Sequence, residues 1–114
     1  MAQREWSIEL KKGAIQLCIM SLLKRGRKYG FQIIKEMRDL SDGYFDIKEG
    51  TLYPALHRLE KRGLVVSEWV IEGSSPPRRY YKLTAKGEET LINSLKEWRR
   101  MVKATDKVIG GGGE

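Results

Sequence analysis

The chain has 114 residues, 40% hydrophobic and 32% charged. That is the composition of one small globular domain, and it excludes a disordered polymer or a membrane-embedded protein. The length suffices for a single core but is near the small end, where pairing with another chain often completes the burial, so one domain and room for a dimer are expected. The net charge of +7 favours a polyanionic partner, and a single cysteine excludes an internal disulfide and suits a reducing cytoplasm.

From about Ile8 to Lys24, the residues Leu10, Ala14, Leu17, Cys18, Leu22 and Leu23 recur at helical spacing, and Ile15 and Ile19 widen the stripe. This first helix should therefore be buried on more than one side, with Cys18 as a small apolar residue rather than a nucleophile. The run ends in Lys24-Arg25-Gly26-Arg27-Lys28 without a small-residue cleavage site, and it is too short to span a bilayer. A soluble cytoplasmic protein without a membrane partner is expected. The basic turn around Gly26 is either a solvated loop or a phosphate contact.

A second helix is expected from about Tyr29 to Leu40, with Ile33, Ile34, Met37 and Leu40 on one face and Ser41-Asp42-Gly43 as its stop. A third, Glu49 to Arg62, places Leu52, Ala55, Leu56 and Leu59 on one stripe and is closed by Gly63. The β-branched run Leu64–Ile71, the turn chemistry of Glu72–Pro77 and the run Arg78–Leu83 read as a hairpin with a basic, proline-bearing tip.

Thr84 stands where a helix N-cap belongs. The long helix after it, about Ala85 to Val108, carries Leu91, Leu95, Trp98, Val102, Thr105 and Ile109 in alternating four and three spacing. Little of its own chain is left to cover that stripe, so Leu91, Leu95, Trp98 and Val102 are expected at the interface of a homodimer. The expected class is α+β, mostly α: a winged helix-turn-helix over residues 1–83 and a C-terminal dimerisation helix over 84–109. A Gly-rich flexible tail over 110–114 is set aside.

The third helix begins awkwardly. Gly50, Thr51, Tyr53 and Pro54 all weaken helices, yet they crowd its first turns. At about 100° per residue, the face opposite the leucines carries Gly50, Thr51, Pro54, His57, Arg58 and Lys61, with Tyr53 on the flank and Lys48 just ahead. Nothing on that face is a large aliphatic. Its first turn reads as shaped by an outside surface: glycine allows close approach, threonine offers a hydroxyl and free N–H groups suit a phosphate. Pro54 is tolerated if the helix begins at about Glu49 to Thr51. From Lys48 to Lys86 there are eight Lys or Arg against four Glu, so over half the net charge lies in this helix and the hairpin. Arg78 and Arg79 extend that charge toward the wing tip.

The segments YGFQIIKEM, EGTLYPALHRLEKRGLV and RRYYKLTAKGEETL, in this order and spacing, resemble the signatures of PadR-like transcriptional regulators, in particular the short subfamily with one C-terminal helix. The resemblance spans about Leu10 to Val108. It implies a homodimeric repressor of double-stranded operator DNA, with the last helix of one subunit against the first and last helices of the other. Motif by motif, it implies that Tyr29 and Gly30 open the second helix near the DNA backbone, that Thr51, Tyr53 and Pro54 lie in the recognition helix, and that Arg78, Arg79 and Tyr80 belong to the wing. Tyr81 and Leu83 would anchor the second wing strand. Trp98 matches a tryptophan that, in some members, stacks on a planar aromatic small molecule between the terminal helices; packing within the dimer is the plainer role.

Two other classes stay open on the residues alone. A winged helix can serve as a protein-interaction module with a solvated basic face. An enzyme has no support: there is no carboxylate pair in a plausible cleft, no phosphate-binding glycine loop and no metal-ligand spacing around His57, so neither a cofactor nor a catalytic residue is expected.

Overall fold

The computed structural model describes residues 2–110, with the side chains of residues 2–6 and 8 excepted. The expected flexible tail beyond Gly110 lies outside the described residues. The order is α1 (Ala2–Lys24), β1 (Lys28–Tyr29), α2 (Gly30–Leu40), α3 (Glu49–Lys61), β2 (Val65–Val70), β3 (Arg78–Leu83) and α4 (Ala85–Ile109). The helix α1 starts earlier than its apolar spacing indicated. The sheet is three-stranded and antiparallel in the order β1-β3-β2.

The strand β1 has no sequence signature because it is two residues long. Lys28 and Tyr29 become a strand only by pairing with Tyr81 and Tyr80 of β3. Tyr29 is therefore the N-cap of α2 and not its first residue. The Gln32 carboxamide oxygen accepts a hydrogen bond from the Tyr29 backbone N–H at 3.1 Å, which satisfies one donor at the helix start.

One core joins the helices to the base of the hairpin. Ile19, Leu22 and Leu23 of α1, Ile33 and Met37 of α2, and Leu52, Ala55, Leu56 and Leu59 of α3 are buried together with Leu64, Val65, Tyr81 and Leu83. Leu10 and Leu40, placed on apolar stripes by spacing, are exposed instead. Cys18 is half-buried at the core's edge, and partial burial raises its thiol pKa above the ordinary value.

The helix α3 ends in a complete Schellman motif. The Leu64 N–H bonds to the Leu59 carbonyl at 3.0 Å and the Gly63 N–H to the Glu60 carbonyl at 2.9 Å, with Gly63 at φ 76°. The next junction is tied by Thr84. Its hydroxyl accepts from the Gly87 N–H at 2.9 Å, capping α4, and donates to the Gly63 carbonyl at 2.7 Å. These bonds lock the end of the third helix to the start of the last. No described helix is long and apolar enough to cross a membrane.

Candidate nucleic-acid interface

The start of α3 is open to the outside. Lys48 is its N-cap but supplies no side-chain cap. The Thr51 and Leu52 N–H groups both bond to the Lys48 carbonyl at 3.0 Å, and the donors ahead of them have no carbonyl within the helix. Gly50 is exposed, its φ is not positive, and a Cβ built on it would meet no atom within 4 Å. Nothing among the described residues requires a glycine there. Pro54 is the sixth residue of the helix rather than part of its first turn, so it removes the N–H that would bond to the Gly50 carbonyl. That carbonyl belongs to an exposed residue, where water can serve it.

Beyond this turn the two faces of α3 separate as expected. Leu52, Ala55, Leu56 and Leu59 are buried, while Thr51, Pro54, His57, Arg58 and Lys61 are exposed. A groove of about 450 Å³ runs between α1 and the start of α3; Lys11, Lys12, Lys48, Gly50, Thr51, Pro54 and Arg58 line it. No sequence motif marks Lys11 and Lys12, because the clear signal in their helix is its apolar stripe. Asp46, also on the groove, is paired with Lys48 at 3.6 Å.

A second depression brings together residues far apart in sequence. Tyr29, Gly30, Tyr53, Arg78 and Arg79 meet around it, joined by Phe31, Trp69 and Pro77. Tyr53 reaches across the start of α2 so closely that its ring and hydroxyl occupy the space a Cβ on Gly30 would take. Gly30 is therefore needed for close packing of α2 against α3. Phe31 and Trp69 are exposed there; spacing treated both as ordinary helix and strand residues, and only the tertiary placement beside Arg78 singles them out.

The wing arginines have different surroundings. The Arg78 guanidinium lies 4.5 Å from the centre of the Tyr29 ring. Arg79 is tied inward, with Nε donating to Ser67 Oγ at 2.9 Å and Nη2 3.7 Å from Glu60 Oε2. Tyr80, grouped with the outward wing residues by motif, is only 9% exposed. Its ring packs edge-on against Tyr29 at 5.3 Å and lies beneath the Arg27 guanidinium at 4.8 Å. This ring supports its neighbours and is not free to project outward. Tyr81 points to the other face of β3, as strand alternation requires, and is buried in the core. Burial raises its hydroxyl pKa, partly offset by the nearby Arg79 charge.

The α4 stripe divides. Leu91 is 1% exposed and belongs to the chain's own core, which corrects its placement at an intermolecular interface. Leu95 packs against that core, Trp98 is half-buried, and Val102 is 40% exposed. Trp98 and Leu95 border an apolar cavity of about 290 Å³ that also touches Cys18, Met37 and Phe45. Among the described residues, no group of three or more His, Cys, Asp or Glu is placed to hold a metal ion.

Helix order, outward α3 face and basic wing together match a known pattern. Residues 19–93 match the transcriptional regulator PadR-like family. The chain belongs to this family. It is 34% identical over 104 residues to the transcriptional regulator Rv3488 of Mycobacterium tuberculosis, covering 90% of each chain. To the negative transcriptional regulator PadR of Bacillus subtilis it is 25% identical over 81 residues, 71% of this chain and 44% of that one. The crystal structure of a PadR family transcriptional regulator from Eggerthella lenta superposes with a TM-score of 0.81 at 31% identity, covering 95% of this chain and 92% of that one. A PadR family regulator from Clostridium difficile gives 0.74 at 35% identity, covering 84% and 98%. The mostly helical α+β winged-helix class read from the sequence is confirmed, and PadR-like proteins are transcriptional regulators, not enzymes.

Proposed function

We propose that this PadR-like regulator is a homodimeric, sequence-specific DNA-binding repressor. Residues 1–83 would read DNA and residues 84–109 would dimerise. The observation that carries the reading is the outer face of α3: Thr51, Pro54, His57, Arg58 and Lys61 are exposed, and Gly50 has open space where a side chain would lie. A glycine that serves no contact among the described residues fits a backbone that must approach a major-groove edge or a phosphate. Lys48, Arg58, Lys61 and Arg78 then supply cations, with Tyr29, Gly30 and Tyr53 forming the floor between α3 and the wing. In this reading Tyr80 acts behind the surface, and Arg79, though exposed, is tied inward to Ser67 and Glu60.

Dimerisation through α4 is supported by Ile92, Met101, Val102, Val108 and Ile109, all exposed on one chain. Two copies would present their α3 helices to successive major grooves about 34 Å apart. The test is a gel shift against the promoter of the protein's own operon with excess unrelated DNA as competitor. Competitor-resistant binding supports the reading; sequence-blind binding that salt abolishes would leave a protein-interaction module as the better one.

The cavity beside Trp98 favours one extension, a planar aromatic ligand stacked on the indole at the dimer interface. Such a ligand relieves repression only by binding one spacing of the two α3 helices more tightly than another. Equal DNA affinity with and without saturating ligand would refute the coupling.

A further inference from the structure

We infer that Glu60, Ser67 and Arg79 form a clamp that fixes the wing against α3, making Glu60 a positioning residue for DNA binding. The inference rests on the proposed DNA-binding role. Its observations are independent of that role. Ser67 Oγ donates to Glu60 Oε2 at 2.8 Å and accepts from Arg79 Nε at 2.9 Å, and Arg79 Nη2 stands 3.7 Å from the same carboxylate oxygen. One residue comes from each of α3, β2 and β3.

The strand register explains how the three meet. Ser67 pairs with Tyr81 and Trp69 with Arg79, so Ser67 and Arg79 are diagonal neighbours on one face of the hairpin, the face that buries Tyr81 toward α3. The Arg79 guanidinium also lies 5.7 Å from the Tyr81 ring centre. With Nε and one terminal nitrogen directed at Ser67 and Glu60, Arg79 is oriented across the root of the wing rather than outward. Its side chain is 46% exposed and that of Glu60 25%. Ion pairs this exposed contribute little to stability, so a role in geometry can be separated from one in folding.

The charge of Glu60 makes the test decisive. An acid near a DNA-binding surface repels phosphate, so by electrostatics alone Glu60→Ala should tighten binding. The clamp demands the opposite: Glu60→Ala and the uncharged change Ser67→Ala should each weaken specific binding by about tenfold, the scale of one lost hydrogen bond. The salt slope should fall in both variants, by the phosphate contacts that the loosened wing gives up. In a hydroxyl-radical footprint, positions protected by α3 should persist while those flanking them under the wing are lost. Glu60→Gln, whose carboxamide oxygen can still accept from Ser67 and Arg79, should restore most of the affinity.

Backbone order parameters of the free protein provide a readout that needs no DNA. In Glu60→Ala, residues of the β2–β3 tip should become more mobile while α3 stays as rigid as in the wild type. Loosening of the tip in a protein that binds no specific DNA would keep the clamp and refute the DNA-binding reading. Tighter binding by Glu60→Ala, or an unchanged tip, would overturn the clamp.

Discussion

The Tyr53 side chain lies where a Cβ on Gly30 would have to be, so the residue opening α2 and a residue of α3 are fitted to each other. The prediction is a change of sign. In the wild type, Gly30→Ala should destabilise by about 1 kcal/mol through overpacking, which an exposed ring relieves by shifting. In a Tyr53→Ala background the same change should stabilise by roughly 0.5–1 kcal/mol, because alanine is the better helix residue. Urea unfolding of the four proteins in the cycle measures both. Equal effects in the two backgrounds would show that the fit has no energetic weight.

Gly87 is constrained by backbone. A Cβ there would strike the Leu64 carbonyl oxygen, which is held in place by the hydrogen bond from the Thr84 N–H at 3.1 Å. Gly87→Ala should therefore cost about 2–3 kcal/mol, more than Gly30→Ala, because no side chain can swing aside. Thermal unfolding of the two variants side by side checks the order.

Asp42 is the one described non-glycine residue with positive φ, at 52°, where it ends α2. The Gly43 N–H bonds to the Arg38 carbonyl at 2.8 Å across it, completing a Schellman cap with aspartate in the glycine position. Asp42→Gly should stabilise the protein by about 0.5–1 kcal/mol, less than the full left-handed penalty because glycine is also freer when unfolded. A lowered midpoint in urea would contradict this.

How far the sequence can be read depends on whether a signal is local. The α3 faces, the Gly63 stop and the Thr84 cap follow from spacing and turn chemistry within a few residues, and the structure places them as read. The strand β1 could not be read, since two residues carry no period and only β3 makes them a strand. Leu91 and Val102 share one stripe, and spacing cannot say that the first is covered by its own chain and the second is left exposed. Arg79 looks like a free cation until Glu60 and Ser67 are brought to it from two other elements. Of the candidate site, the α3 face was legible, whereas the support of Tyr80 beneath Arg27 and the exposure of Phe31 and Trp69 required the tertiary fold.

Lys11 and Lys12 share a groove with Gly50, Thr51 and Arg58, so the proposed docking of α3 would set α1 beside the phosphates that flank it. Changing both lysines to Gln should reduce the salt slope of binding by up to about two units in Z while leaving the preferred sequence unchanged. Titrations at several salt concentrations with matched and scrambled sites separate the two effects. An unchanged slope would remove α1 from the interface.

Hydroxyl-radical footprinting of the full chain on genomic fragments it selects tests the central claim most directly. Two symmetry-related protected patches one helical turn apart, with base preference altered by changes at Thr51 or His57, are the expected result. Protection without two-fold symmetry, or preference indifferent to both residues, would contradict the assignment of α3 as the reading element.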